Sequence, residues 1–272
     1  MRKRLVVVVF MVVAALIFNG CGGNDKSEKR RRPVPKRPSA STGTKPVATA
    51  KAPTGTAVII GEITFEGKAP KKWTKSLAEE MAVESACFAK YSDDPISDSI
   101  VLGKESQLAN VFVHVTKGVP TNAKYATPSE PVMIDQDGCM YRPHVVGAMA
   151  GQEINILNSD GIMHNVHALP EKNAEFNRAM PKTNNTYSHK FEEAEPIFPI
   201  KCDVHPWMGG YIGISNHPFF NVTGTDGKFE IKNLPTGTYD VEAWHEKLGT
   251  QTQTVTVVDG KTHTLNFTLS RS

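Results

Sequence analysis

The chain lacks the marks of several common functions. It has no glycine-rich phosphate or dinucleotide loop, no Ser-His-Asp arrangement and no paired-carboxylate motif. Nucleotide binding, serine hydrolysis and two-carboxylate catalysis therefore have no support in the sequence. It has no internal repeat and no long amphipathic helix beyond a stretch at 76–90. Its one long apolar run, Leu5 to Phe18, is too short to span a bilayer comfortably. Concentrated basic charge is also absent from the body. The formal net charge is +3, but residues 1–21 carry three basic and no acidic side chains, and residues 22–55 carry nine basic and two acidic ones. The rest, 56–272, holds 19 basic and 26 acidic residues. The body is acidic, and nucleic acid is not an expected partner.

What is present begins with a targeting pattern. Arg2-Lys3-Arg4 precedes the apolar run, which ends in Phe18-Asn19-Gly20-Cys21. Residues 1–21 read as a signal peptide, and its end looks like a bacterial lipoprotein processing site with Cys21 as the lipidated residue. Phe18 and Asn19 depart from the usual small or branched residues there. Residues 22–55 are rich in Lys, Arg, Pro, Ser, Thr and Ala and nearly free of large apolar side chains. Such a segment cannot bury enough surface to offset its ordering entropy, so a disordered basic linker is expected. Together these features predict a body outside the cytoplasm, in the cell envelope, on its periplasmic or extracellular face. It would be tied to the membrane through lipid on Cys21.

From Thr56 onward the pattern is β. Val58-Ile59-Ile60, Ile63-Thr64-Phe65, Val111-Phe112-Val113 and Glu153 to Leu157 are strand-like, and Asp137-Gly138 and Asp226-Gly227 read as turns. Many short strands between Gly, Pro and Asp turns predict an all-β fold of sandwiches with one short helix near 76–90.

One cluster carries chemistry. Cys202-Asp203-Val204-His205-Pro206-Trp207-Met208 places a thiolate, an imidazole and a thioether within seven residues. Asp160-Gly161-Ile162-Met163-His164-Asn165 supplies a second imidazole. Two imidazoles, one thiolate and a weak axial thioether suit copper; imidazole and thiolate alone would also suit zinc, and Met208 tilts the set toward copper. Met163 is read as packing.

Residues 131–215 resemble the plastocyanin/azurin-like cupredoxins. The resemblance rests on Pro143, Gly151, Asn158, Asp160, His164 and Asn165, followed by Cys202-x2-His205-x2-Met208 and Gly210. The short ligand loop and His164-Asn165-Val166-His167 are most similar to the amicyanin type. The resemblance implies a Greek-key β-sandwich with one type 1 copper held by His164, Cys202, His205 and Met208. It implies that Asn165 ties the two ligand-bearing segments together and that Pro206 removes a backbone N–H near the site. Trp207, where the closest pattern has Phe, would add a π-rich surface beside His205, whose edge is typically the electron exit. Val204 replaces a proline and should loosen the loop slightly.

With Cys21 assigned to lipid and Cys202 to metal, Cys87 and Cys139 are expected to pair, because spare cysteines outside the cytoplasm usually do. The alternative is a second metal site using Cys139 with His144, or His144 with His167. His217 and His245 are further candidates at a junction between modules.

Residues 216–272 resemble the carboxypeptidase regulatory-like, transthyretin-like β-sandwich. The residues behind this are Thr223, Asp226-Gly227-Lys228-Phe229, Leu234-Pro235-x-Gly237-x-Tyr239 and Thr262 to Leu269. Such a sandwich usually opens with strands like 57–66 and 110–115. Residues 56–130 are therefore expected to belong to it, with the copper module inserted. The function implied is a carrier of single electrons, not an enzyme, with a cytochrome or oxidoreductase as redox partner. The alternative is a copper carrier, or a carbohydrate- or protein-binding module without redox turnover.

Overall fold

The computed structural model describes residues 50–183 and 186–271. The expected signal peptide, the lipidation site Cys21 and most of the expected linker lie outside the described residues. Among the described residues no helix is long and apolar enough to cross a membrane.

The described chain is β-rich and forms two pairs of sheets and a two-stranded parallel ladder of Ala50–Lys51 with Ala123–Lys124. In the first pair, a five-stranded sheet runs in the order Phe176–Met180, His164–Ala168, Glu195–Lys201, Gly209–Ser215, Val145–Met149. Its companion runs Thr186–Lys190, Glu153–Asn158, Val132–Gln136, Tyr141–Arg142. The period-two burial of Glu153–Asn158 puts Ile154 and Ile156 inside. They join Ile134, Val166, Phe191, Phe198 and Ile212 in one core. Tyr141–Arg142 pairs in one sheet and Val145–Met149 in the other. The chain changes sheets at Pro143-His144, where proline has no N–H to offer a ladder.

In the second pair, one sheet is Phe220–Val222, Phe112–Lys117, Gly237–His245, Gly249–Val257. The other places Ala57–Glu66 between Lys228–Leu234 and the parallel strands Thr262–Thr264 and Phe267–Ser270. The strand partners of Ala57–Glu66 thus lie beyond residue 227, with one lone bridge from Thr64 to Gln107, and among the described residues strand Phe112–Lys117 pairs with 220–222 and 237–245. Ile59, Ile63, Val113, Phe229, Val241 and Phe267 share its core. The turn before Lys228 needs Gly227, at φ +67°, because a Cβ there would meet the Ile63 carbonyl oxygen at 2.6 Å.

The two sandwiches meet across a pair of glycines. Gly213 and Gly147 are cross-strand partners. A Cβ on Gly213 would lie 2.7 Å from the Phe112 ring, and one on Gly147 would lie 2.7 Å from the Phe220 ring. Bare backbone at both positions lets two aromatic side chains of the second sandwich rest on the first.

Two features differ from expectation. The end of the expected linker is built into the fold: the Gly55 amide donates to the Asn233 carbonyl at 3.2 Å. In place of one helix over 76–90 there are two single turns, α1 (Ala78–Met81) and α2 (Ser85–Phe88). Glu84 leaves the helical region at φ −120°, ψ 89°, and its carboxylate accepts from the Ala86 amide, so it ends one turn and starts the next.

Candidate metal centre

His164 opens its strand directly after the loop 159–163. The Asn158 side chain shapes that loop by donating to the carbonyls of Ile162 and Met180, both at 2.7 Å. The Cys202–Met208 loop closes on itself: the Cys202 amide donates to the Met208 carbonyl at 3.0 Å, and the Met208 amide to the His205 carbonyl at 2.9 Å. The two segments converge. His164 Nδ1 lies 2.8 Å from His205 Nδ1, and Cys202 Sγ lies 3.7 Å from His205 Nδ1. One donor atom from each of the three residues falls within 4.8 Å of the others, and all three residues are buried. Met208 is also buried and belongs to the same core as Cys202.

Asn165 spans the two segments. Its Oδ1 accepts from the Cys202 thiol at 3.3 Å and from the Asp203 amide at 2.7 Å. Its own carbonyl accepts from the Tyr141 hydroxyl at 2.9 Å and from Gln136 Nε2 at 3.0 Å, which fixes it from behind. Burial by itself would raise the Cys202 thiol, but hydrogen bonds from His164 and His205 outweigh it and bring the pKa down to about 6. That shift favours the thiolate, the form that binds metal.

Behind His164 sits a carboxylate that the sequence reading left without a role. Asp160 Oδ2 accepts from His164 Nε2 at 2.8 Å and from the Cys139 amide at 2.8 Å. Its Oδ1 accepts from the Gly138 amide at 2.8 Å and from Lys90 Nζ at 2.9 Å. Burial pushes this carboxyl up, but the bonds from His164 and Lys90 hold it below its ordinary value. For His164, burial opposes the charge while Asp160 and Cys202 favour it, and its pKa is raised. A signal existed, an Asp four residues before a candidate ligand; Lys90, distant in sequence, left none.

Cys87 and Cys139 are joined by a disulfide. It ties α2 to the Gly138–Cys139 turn, and Leu77, Met81 and Met140 pack with it into a small third core. This cover alters the expected surroundings of His205. Its Nε2 lies 3.9 Å from Cys87 Sγ, and the ring is only 3% exposed. Trp207 packs 5.1 Å from the His205 ring, centroid to centroid, and its Nε1 donates to the Cys139 carbonyl at 3.2 Å. The His205 edge is therefore not the exposed exit that the resemblance implies, because Cys87, carried by α2, and Trp207 cover it. Pro206 is exposed and Trp207 half-buried.

The remaining histidines are engaged elsewhere. Among the described residues two clusters of three close donor atoms occur, one on Cys202 and one of Cys139, Asp160 and His164, and neither includes His144, His167, His217 or His245. His144 pairs with Glu246 at 2.6 Å. His167 lies between Asp203 and Glu175, at 2.9 Å from each. His217 Nε2 meets the Val115 carbonyl at 3.1 Å. The His245 ring takes the Lys247 amide at 3.2 Å. Burial drives His217 and His245 down to about 4, so both are neutral at physiological pH. The pairing of Cys139 with His144 does not occur, since Cys139 is in the disulfide.

Comparison with known proteins gives the following. Residues 216–270 match the carboxypeptidase regulatory-like domain family. Solved structures similar to the chain include a purple cupredoxin from Nitrosopumilus maritimus, at 22% identity over 31% of this chain and 99% of that one, TM-score 0.27. A copper(I) form of an amicyanin variant matches at 19% identity over 38% of this chain and 98% of that one, TM-score 0.29. A copper-containing nitrite reductase from Thermus scotoductus matches at 21% identity over 36% of this chain and 25% of that one, TM-score 0.28. No curated protein matches.

Proposed function

We propose that this chain is a type 1 copper protein that carries single electrons between redox partners in the cell envelope. The observation behind this is the convergence of His164 Nδ1, His205 Nδ1 and the Cys202 sulfur at one buried point. A low-pKa sulfur with two ring nitrogens is a donor set that fits copper. Met208, buried in the same core as Cys202, would supply a fourth, thioether donor in this reading. Copper bound there would supply a one-electron couple.

The chain's own residues hold the donors rigidly. Asn165 fixes the sulfur and the loop, Asp160 orients His164, and the lid keeps water from His205. Preset donors that move little between two charge states lower the cost of electron exchange. The burial of all these donors favours a carrier over an enzyme, because metal catalysis needs a position that substrate can reach. The partner in this reading is a cytochrome or oxidoreductase, and lipid on Cys21 would keep the protein at the membrane.

Adding Cu2+ to the purified protein should give an intense visible thiolate-to-copper band. The band should disappear in Cys202→Ser. A parent protein that binds copper without that band would refute the reading in favour of a simple carrier.

A further inference from the structure

The second donor cluster lies against the first. Cys139 Sγ, an Asp160 carboxylate oxygen and a His164 nitrogen fall within 4.8 Å of one another, all in buried residues. The other sulfur of the disulfide, Cys87 Sγ, is 3.9 Å from His205 Nε2. Both imidazoles turn their Nδ1 atoms toward each other on the Cys202 side. Their Nε2 atoms face the other way, one to Asp160 and one to Cys87. Two sulfurs, a carboxylate and two imidazole nitrogens are thus gathered in one dry pocket under Leu77, Met81 and Met140.

We propose that the Cys87–Cys139 disulfide masks a second metal site, which a dithiol opens for a thiophilic d10 cation, Zn2+ or Cu+. The ligands are Cys87, Cys139 and Asp160, with His164 or His205 through Nε2. With the disulfide closed, the sulfurs are bonded to each other and bind nothing. A dithiol delivers two electrons and two protons: the S–S bond breaks, two thiols form, and the dithiol leaves as its own disulfide. The cation then displaces the thiol protons and, where His164 is the fourth ligand, the Nε2 proton that it directs at Asp160, all released to solvent. Metal–sulfur bonds of about 2.3 Å and metal–nitrogen bonds of about 2.0 Å put tetrahedral donors roughly 3.3–3.8 Å apart. Donor atoms of Cys139, Asp160 and His164 lie within 4.8 Å of one another, and Cys87 Sγ is 3.9 Å from His205 Nε2, so the donors need to draw in slightly while the two sulfurs separate. Their Cα atoms, 5.6 Å apart, leave room for that by side-chain rotation. Asp160 sets a carboxylate beside the sulfur pair, held in place by Lys90 and the Cys139 amide.

The test uses full-length Cys202→Ser, so that the first site cannot report, and so that failure of the copper reading leaves this result untouched. The protein is reduced anaerobically with dithiothreitol, freed of reductant and titrated with Co2+ as a visible probe. Two additional thiols and one equivalent of Co2+ with thiolate charge-transfer bands are expected, together with a rise in melting temperature on adding Zn2+. The unreduced protein should show no such band, and adding Cys139→Ser should abolish it in the reduced protein. The proposal is overturned if reduction releases no thiols while the protein stays folded. It is equally overturned if the reduced protein gives no band, or if the band survives in the Cys139→Ser background.

Discussion

Asp160 joins three parts of the centre through one side chain. One buried carboxylate orients His164, satisfies two amides of the Gly138–Cys139 turn and receives Lys90. Asp160→Asn keeps the size but removes the charge and leaves donors facing an amide. We expect a loss of about 2–3 kcal/mol in chemical denaturation and metal binding at the Cys202 centre weakened roughly 10–100-fold, read by competition with a chelator. Unchanged metal affinity would show that His164 needs no such anchor. Cys202 makes a second prediction. Its folded pKa of about 6 lies below its ordinary 9.0, so between those values the unfolded chain binds a proton that the folded thiolate has released. Metal-free protein should therefore gain stability as pH rises from 6 to 9 and lose that gain as pH falls through 6. Thiolate absorbance near 240 nm should titrate near pH 6, and Cys202→Ser should flatten both curves. The donors themselves were legible because three of them share one seven-residue loop and their chemistry is specific. Asp160 was not read as functional, because a carboxylate's role depends on what the fold turns toward it.

At the scale of elements, the lid over His205 is held by one covalent link and a few apolar side chains. α1 and α2 are single turns, far too short to be stable alone. Their order comes from the disulfide and from Leu77, Met81 and Met140. Replacing both Cys87 and Cys139 with Ser opens a loop of 52 residues. The chain-entropy relation puts the cost at roughly 4 kcal/mol. Thermal melts should show it, and hydrogen exchange should show the loss of protection concentrated in 77–91. A uniform loss across both sandwiches would contradict this local role. The spacing of Leu77, Met81 and Ala82 suggested one helix. The break at Glu84 was hidden because capping by a glutamate two residues before its partner amide leaves no periodic trace. That the lid lies on His205 was also hidden, since the contact joins residues 118 positions apart.

At the scale of the whole molecule, the β class was legible from alternation and turn residues, which report burial one strand at a time. The contact between sandwiches was not, because it depends on two glycines whose sequence neighbourhoods are unremarkable. Gly213 has an ordinary backbone, so a larger residue is refused there only by Phe112 and the Pro196 carbonyl, each at 2.7 Å from an added Cβ. Gly213→Val should cost about 1–3 kcal/mol through overpacking. It should also split a single calorimetric transition into two as the sandwiches uncouple. One transition at lower temperature would mean that His144–Glu246 and the Tyr211–Trp244 contact suffice to keep them joined.

The partners of strand Ala57–Glu66 set a schedule for the chain as it emerges. That strand is made early and bonds early only to 106–108, through the Thr64–Gln107 bridge, while its strand partners all begin at or after Lys228. The sheets of 132–215 close entirely on their own neighbours. During vectorial synthesis, the inner unit can condense while most of the first strand's length waits without its strand partners. Such an unpaired, apolar strand invites wrong partners for as long as the wait lasts. Closing it late carries the slow kinetics of contacts far apart in sequence. The outer sandwich is thus the last part to fold and the part most exposed to misassembly.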